Sequence, residues 1–174
     1  MKRTLKVVVT GPFGAGKTEF IRNVSEIDIV TTERKVTTRE KQIKAETTVA
    51  MDFGRLTVGR NILHLFGTPG QARFEFMWDI LSKEMHGFII LVDSTDKKSF
   101  AQAKRLIGLF TEDHEVPFVV AANKQDLKGA LRPSEVRRSL GVGADVPVLG
   151  CVSVEPESVK SVLVQLAQMI VWIG

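Results

Sequence analysis

A phosphate-binding loop is indicated by residues 11–18, which read Gly-Pro-Phe-Gly-Ala-Gly-Lys-Thr and fit the pattern G-x-x-x-x-G-K-[ST]. The loop follows an apolar run at 5–9 and precedes a helix-compatible stretch at 17–24, which is the context that such a loop requires. Backbone N–H groups at a helix start attract phosphate oxygens. We therefore expect Lys17 to neutralise the β- and γ-phosphates and Thr18 to bind Mg²⁺. The predicted nucleotide contacts in this part of the chain are Gly14, Ala15, Gly16, Lys17, Thr18 and Glu19.

A second polar cluster, Asn123-Lys124-Gln125-Asp126, follows the apolar run 116–122. A carboxylate accepts two hydrogen bonds, so Asp126 matches the N1–H and exocyclic amine of guanine, a donor pair that adenine lacks. Lys124 is expected to lay its stem over the base, and Asn123 to brace the loops. Alone, four such residues are more often a solvated turn. Combined with the phosphate loop, they predict guanine recognition.

A sheet must position these motifs, and the hydrophobic pattern predicts one. Apolar runs typical of buried strands alternate with helix-compatible stretches, which predicts a three-layer α/β fold with a mostly parallel sheet. The predicted strands are 5–9, 87–93, 116–122 and 146–152, and the predicted helices are 17–24, 73–84, 99–110, 134–140 and a final amphipathic segment around 159–170.

One part of the sheet is expected to be antiparallel. Two extended runs, 47–56 and 61–66, flank Thr57-Val58-Gly59-Arg60, a turn signal that predicts a hairpin. The polar segment 25–46 shows little periodicity, and we expect it to be a long mobile loop.

Composition sets limits on location and partners. The chain has 174 residues, which predicts one domain spanning 1–174, and the single Cys151 excludes an intramolecular disulfide. We therefore expect a reducing, cytoplasmic environment. The 24 basic and 20 acidic residues are too dispersed to predict nucleic-acid binding. The sequence shows no leader, apolar span or lipidation motif, so membrane recruitment is expected to require a partner.

The order of these motifs, with Gly67-Thr68-Pro69-Gly70-Gln71 between them, resembles the Ras-like small GTPase family across nearly the whole chain. Segments 48–54, 65–71 and 73–79 are most similar to the MglA-like and conservon-type GTPases of bacteria and archaea. The resemblance implies a P-loop NTPase domain of five or six strands with the second antiparallel. It also implies a molecular switch that binds GTP and GDP with Mg²⁺ and hydrolyses GTP slowly.

The resemblance carries over specific roles. Thr48 is similar to the threonine that meets Mg²⁺ and the γ-phosphate, and Gly70 to the glycine whose N–H meets the γ-phosphate. Gln71 is similar to the glutamine that orients the attacking water. In the loop Val152-Ser153-Val154, Ser153 is expected to supply a backbone N–H to the guanine oxygen.

Besides Val152-Ser153-Val154, which stands where the family has Ser-Ala-Lys, two positions depart from the family pattern. Gly67 replaces the aspartate that normally holds a magnesium-bound water, and the hairpin register places Asp52 opposite 65–67. We suggest that Asp52 supplies the carboxylate, although an exposed acid at the sheet edge explains it equally well. Phe13 replaces the glycine that Ras has beside the γ-phosphate, which crowds the space of the attacking water. These departures leave an alternative function, a non-hydrolysing nucleotide-binding interaction module.

Regulation is expected to involve the loops near the γ-phosphate. Arg34 or Arg39 could act as an internal arginine finger, although solvated loop cations are the more common case. The helix 73–84 has more apolar residues than one core stripe needs, so it is either an effector surface or a fully buried helix. The residues concerned are Phe74, Phe76, Met77, Trp78, Ile80 and Leu81. The resemblance implies an effector or regulator protein as the partner, with a Roadblock-type dimer as the candidate.

Overall fold

A seven-stranded sheet lies at the centre of the computed structural model, which describes residues 2–36, 47–70 and 75–173. In chain order the strands are β1 (Arg3–Thr10), β2 (Val30–Val36), β3 (Thr47–Val58), β4 (Asn61–Gly67), β5 (Gly87–Asp93), β6 (Phe118–Asn123) and β7 (Val148–Gly150). They lie side by side in the order β2-β3-β4-β1-β5-β6-β7. Parallel pairing joins β4, β1, β5, β6 and β7, and antiparallel pairing joins β2, β3 and β4. The predicted α/β class and mostly parallel sheet are confirmed.

Five α-helices and a short 3₁₀ helix, Lys97–Ser99, cover the sheet within the described residues. The α-helices are α1 (Lys17–Arg22), α2 (Glu75–Ser82), α3 (Phe100–Glu112), α4 (Pro133–Leu140) and α5 (Pro156–Ile173). In the part of the chain that the structure covers, we find no helix that combines the length and the apolar character needed to cross a bilayer.

The two faces of the sheet bury separate hydrophobic clusters. Strand β1 shows the alternation, because Val7 packs in the cluster with α1 and α5 while Val8 packs in the cluster with α2, α3 and α4. Successive strand residues point to opposite faces, so a continuous apolar strand must be covered on both. This packing fixes the carboxyl ends of β1 and β6, from which the two predicted binding motifs emerge.

The predicted hairpin is confirmed. Strands β3 and β4 pair antiparallel, with Asp52 opposite Gly67 and Val58 opposite Asn61. Gly59, in the tight turn between them, has φ of 58°, a left-handed conformation that favours glycine.

The prediction of a mobile loop at 25–46 is wrong for residues 30–36, because β2 occupies Val30–Val36 and pairs with β3. An edge strand forms through its backbone and tolerates polar side chains, so its sequence lacked the apolar pattern of a buried strand. Residues 25–29 form neither helix nor strand, and residues 37–46 lie outside the described part of the chain. With β2 included, the described sheet has seven strands, against the five or six that the resemblance implied.

Candidate functional site

The loop after β1 is held in a conformation that two glycines make possible. A Cβ on Gly11 would collide with the backbone carbonyl of Leu91, and one on Gly16 would lie 2.6 Å from Asn123 Nδ2. Gly16 has φ of 101° and caps the start of α1. The glycine spacing in the sequence therefore reflects both backbone conformation and close contact with β5 and β6.

Lys17 follows this loop and points back along it. Its Nζ donates to Gly11 O at 2.6 Å and to Pro12 O at 2.9 Å, and only 8% of the residue is exposed. Burial lowers the pKa of Lys17 to about 8, and the negative charge of Asp52 opposes part of that shift. The ammonium group borders a cavity of about 410 Å³ that also includes Thr18, Asp52 and Gly70.

Asp52 faces this cavity from β3. Thr18 Oγ1 donates to Asp52 Oδ2 at 2.6 Å, and Thr31 Oγ1 of β2 donates to Oδ1 at 3.1 Å. Because β2 covers β3, Asp52 does not lie at the sheet edge. The predicted register is confirmed, and the carboxylate contacts the hydroxyl predicted to bind Mg²⁺.

Gly67 explains why the carboxylate fits there. A Cβ on Gly67 would lie 3.1 Å from Asp52 Cβ and 2.9 Å from Ile21 Cδ1. An aspartate at 67 would therefore compete for the space that Asp52 occupies. Of these two cross-strand partners, only Asp52 on β3 carries a carboxylate, and Gly67 on β4 leaves room for it.

The donor set in this corner suits a hard cation. The oxygens of Thr18, Thr31 and Asp52 are the type that Mg²⁺ prefers, and Mg²⁺ usually takes its other ligands from water and phosphate. No group of three or more His, Cys, Asp or Glu able to hold a metal occurs among residues 2–36, 47–70 and 75–173. The geometry thus fits a nucleotide-dependent Mg²⁺ site and does not resemble an all-protein metal cage.

The segment after β4 lies against the phosphate loop. Thr68 N–H donates to Val9 O at 2.9 Å, and its hydroxyl donates to Thr10 Oγ1 at 2.8 Å. A Cβ on Gly70 would lie 2.7 Å from the backbone of Phe13 and 2.9 Å from Lys17 Nζ. The structure therefore brings Gly70 beside the lysine that is predicted to meet the γ-phosphate.

The predicted base-recognition residues form a second cavity, of about 210 Å³, next to the first. Asn123 Nδ2 donates to Ala15 O at 2.8 Å, and Lys124 Nζ donates to Gly14 O at 2.9 Å. Lys124 has φ of 63°, a conformation uncommon for a residue with a side chain. The cavity is lined by Gly16, Glu19, Asn123, Lys124, Asp126, Leu127, Val152, Ser153 and Val154.

Ser153 differs from expectation in the group that it offers. Its N–H donates to Asn123 Oδ1 at 2.9 Å, so in this arrangement that N–H is engaged within the protein. Its hydroxyl is buried and has no hydrogen-bond partner among the described residues. The backbone N–H that was expected to meet the base is therefore occupied by Asn123 in this arrangement.

Two supporting residues were not identified from the sequence. Asp93 ends β5 and accepts from Lys124 Nζ at 2.7 Å and from the hydroxyl of Thr95 at 2.6 Å. Burial raises the pKa of Asp93, but the hydrogen bonds from Lys124 and Thr95 outweigh it and lower the pKa overall. Asn23 donates to Ser153 O at 3.0 Å. The sequence signal that could have identified Asp93 is an acidic residue at the carboxyl end of a predicted parallel strand, where ligands bind in such folds.

Other predicted residues are not brought to the site. The Thr48 backbone pairs with Lys35 in the β2–β3 ladder, four residues from Asp52, which is about 13 Å along a strand. The Arg34 backbone lies in β2 opposite Val49. Gln71, Arg39 and Phe74 fall outside the described residues.

Helix α2 divides its apolar residues between core and solvent. Met77, Trp78 and Leu81 are buried, whereas Phe76 and Ile80 are about half exposed. The interpretation of a fully buried helix is therefore wrong, and the effector surface stays a prediction. Phe13, on the rim of the larger cavity, is 72% exposed.

Comparison with known proteins agrees with this geometry. The profile of the ADP-ribosylation factor family matches residues 1–170. The protein MJ1339 of Methanocaldococcus jannaschii is 33% identical over 135 residues, 78% of this chain and 79% of its own length. Human ADP-ribosylation factor-related protein 1 is 29% identical over 134 residues, 75% of this chain and 64% of its own.

A solved structure supports the fold independently. The Arl6 BBS3 small GTPase from Trypanosoma brucei, with the bound nucleotide analogue GppNp, superposes with a TM-score of 0.76 at 21% identity. The match covers 98% of this chain and 99% of that chain. The arrangement of strands and helices described above is therefore that of a small GTPase.

Proposed function

The chain belongs to the ADP-ribosylation factor family of small GTPases, and we propose that it is a switch that binds GTP and GDP with Mg²⁺ and hydrolyses GTP slowly. The observation that carries the proposal is the direct bonding of the two motifs. Asn123 reaches Ala15 and Lys124 reaches Gly14, so one rigid unit presents a phosphate loop beside an Asp126-lined cavity. The closer likeness to MglA-like and conservon-type proteins stays a prediction.

The corner formed by Thr18 and Asp52 would hold the Mg²⁺. When bound, the ion would neutralise charge on the β- and γ-phosphates. Asp52 would keep the Thr18 hydroxyl oriented through the hydrogen bond it already accepts, and Lys17 would contribute a second positive charge. Thr48 would join them only after the β2–β3 pairing opened, since its backbone now lies about 13 Å away along the strand.

Slow hydrolysis is supported by Phe13. Its exposed side chain stands on the rim of the phosphate cavity, and its backbone lies close to Gly70. A phenyl group there occupies space in which a glutamine and a water, or a partner's arginine, would have to align with the γ-phosphate. We therefore propose that Gln71 acts in a crowded site.

A single-turnover assay tests this function. The purified protein is loaded with γ-labelled GTP in Mg²⁺, and phosphate release is followed for wild type, Gln71→Ala and Phe13→Gly. We expect slow release that Gln71→Ala reduces at least about tenfold and that Phe13→Gly accelerates. Lys128→Ala, an exposed substitution, is the control and should match wild type.

The alternative, a nucleotide-binding module without hydrolysis, is favoured by the same Phe13 and by Gly67. Bound GTP that stays intact for hours in wild type and in Phe13→Gly would support it. Failure to bind any guanine nucleotide would contradict both functions.

We also propose an effector or regulator that docks on the exposed half of α2, for which a Roadblock-type dimer is a candidate. Phe76 and Ile80 support this, because both are exposed on the helix that follows the Gly70 segment. Phe76→Ser should abolish capture of a purified Roadblock-type dimer, whereas Trp172→Phe, at the exposed end of α5, should not. Equal capture by both variants would contradict the proposal.

A further inference from the structure

Two side chains from different helices hold the backbone on either side of Gly70. Trp78 of α2 donates its indole N–H to Pro69 O at 3.0 Å, and Gln102 of α3 donates from Nε2 to Gly70 O at 3.0 Å. Trp78 is 4% exposed and packs in the cluster beneath α2 and α3. Two consecutive peptide groups are thus fixed by two buried or half-buried donors.

The Trp78 bond also determines where the Gly70 N–H points. Pro69 C=O and Gly70 N–H belong to one peptide group, and in a trans peptide these two groups point in opposite directions. Since the carbonyl faces Trp78, the N–H faces away from it. Gly70 itself lines the 410 Å³ cavity, and Trp78 does not.

Close packing leaves that peptide little freedom on its other side. Only 2.7 Å separates the position of a Gly70 Cβ from the Phe13 backbone, and 2.9 Å separates it from Lys17 Nζ. Gly70 is therefore confined between the phosphate loop and the donors on α2 and α3. A rotation of this peptide requires breaking the Trp78 bond, whose carbonyl partner would then be buried without a donor.

We infer that Trp78 and Gln102 are positioning residues that aim the Gly70 N–H at the γ-phosphate and so set the preference for GTP over GDP. The inference rests on the proposed function. GDP has no γ-phosphate, so loss of either donor should weaken binding of GTP and leave binding of GDP unchanged. A merely structural role would affect both nucleotides equally.

The test compares affinities for a non-hydrolysable GTP analogue and for GDP by isothermal titration calorimetry. Trp78→Phe keeps an aromatic ring and removes the indole N–H, and Gln102→Met keeps the length and removes the amide. Each should weaken analogue binding about five- to tenfold, the effect of one hydrogen bond, with GDP affinity unchanged. Gln102→Lys, which retains an N–H donor, should recover part of the loss.

Two controls match these variants. Trp172→Phe removes the chain's other tryptophan, which is 91% exposed, and Lys104→Met changes an exposed residue of α3. Both should bind like wild type. Thermal melting of every variant is measured, and Gln102→Met keeps the test informative if Trp78→Phe unfolds.

The outcomes separate the inference from the function on which it rests. Equal weakening for analogue and GDP, or no weakening for either, in variants that fold would overturn the inference and leave the switch intact. Wild-type protein that binds neither nucleotide would overturn the proposed function, and the inference with it.

Discussion

The base side and the γ-phosphate side of the site are built differently. On the base side, Asn123 joins Ala15 to Ser153 and Lys124 joins Gly14 to Asp93, each by hydrogen bonds of 3.0 Å or less. On the γ-phosphate side, Gly70 is fixed, but the Thr48 backbone lies in the β2–β3 ladder.

This difference matches the chemistry that each side would face. Guanine is common to GTP and GDP, so a rigid base cavity serves both nucleotides. The γ-phosphate is present in only one of them, and a switch needs groups that meet it in one state and leave it in the other. We therefore expect substitutions on the base side to lower the affinity for both nucleotides. Substitutions on the γ-phosphate side should change the affinity for GTP more than that for GDP.

The largest effect is expected for Asn123→Ala. The substitution leaves Ala15 O and Ser153 N–H buried without their hydrogen-bond partner. The affinities for GTP and for GDP should therefore both fall about 100-fold. Calorimetric titration with each nucleotide measures this, with Lys128→Ala as the exposed control. A loss confined to GTP would break the distinction between the two sides.

A smaller effect is expected at the carboxylate on the γ-phosphate side. Asp52→Asn should raise the Mg²⁺ concentration needed for half-maximal GTP binding about tenfold, because an amide keeps the shape and loses the charge. Gly67→Asp alone should also impair binding, since its Cβ would crowd Asp52. The double exchange, Asp52→Gly with Gly67→Asp, should restore Mg²⁺ dependence, and its failure to do so would argue against a shared carboxylate position.

The smallest effect concerns pH. Lys17 has a pKa of about 8 because of burial, and phosphate binding favours its protonated form. Raising the pH from 7 to 8.5 should therefore weaken nucleotide affinity about fourfold, since the free protein must regain a proton to bind. The stability of the free protein should move the opposite way, because a lysine binds more protons in the unfolded chain between pH 8 and 10.5.

Lys17→Arg is the matched variant for this measurement. A guanidinium keeps its charge throughout this range, so its affinity should not change with pH. A flat profile in the wild type would show that Lys17 does not titrate in the free protein.

The sequence was most informative where a feature depends on neighbours along the chain. The phosphate loop is defined by local spacing, and the turn at Gly59 was enough to place Asp52 opposite Gly67. Strand β2 was missed because a polar edge strand forms through backbone pairing and carries no buried pattern.

Features that depend on the packing of distant helices could not be predicted. Trp78 donates a hydrogen bond to Pro69, and Gln102 donates one to Gly70. Both bonds depend on where α2 and α3 pack along the sheet. In the sequence, Trp78 cannot be told from a tryptophan that only packs in the core, or Gln102 from a glutamine that only faces solvent. The engagement of the Ser153 N–H by Asn123 likewise joins residues 30 positions apart.

Asp52 and Gly67 face each other on paired strands, so a substitution at one position affects what the other can accept. While Asp52 is present, an aspartate at 67 is crowded, and while Gly67 is present, loss of Asp52 removes the carboxylate that accepts from Thr18. We therefore expect either single exchange to weaken Mg²⁺ binding. We also expect the two positions to be epistatic, since the double exchange should restore what each single exchange loses.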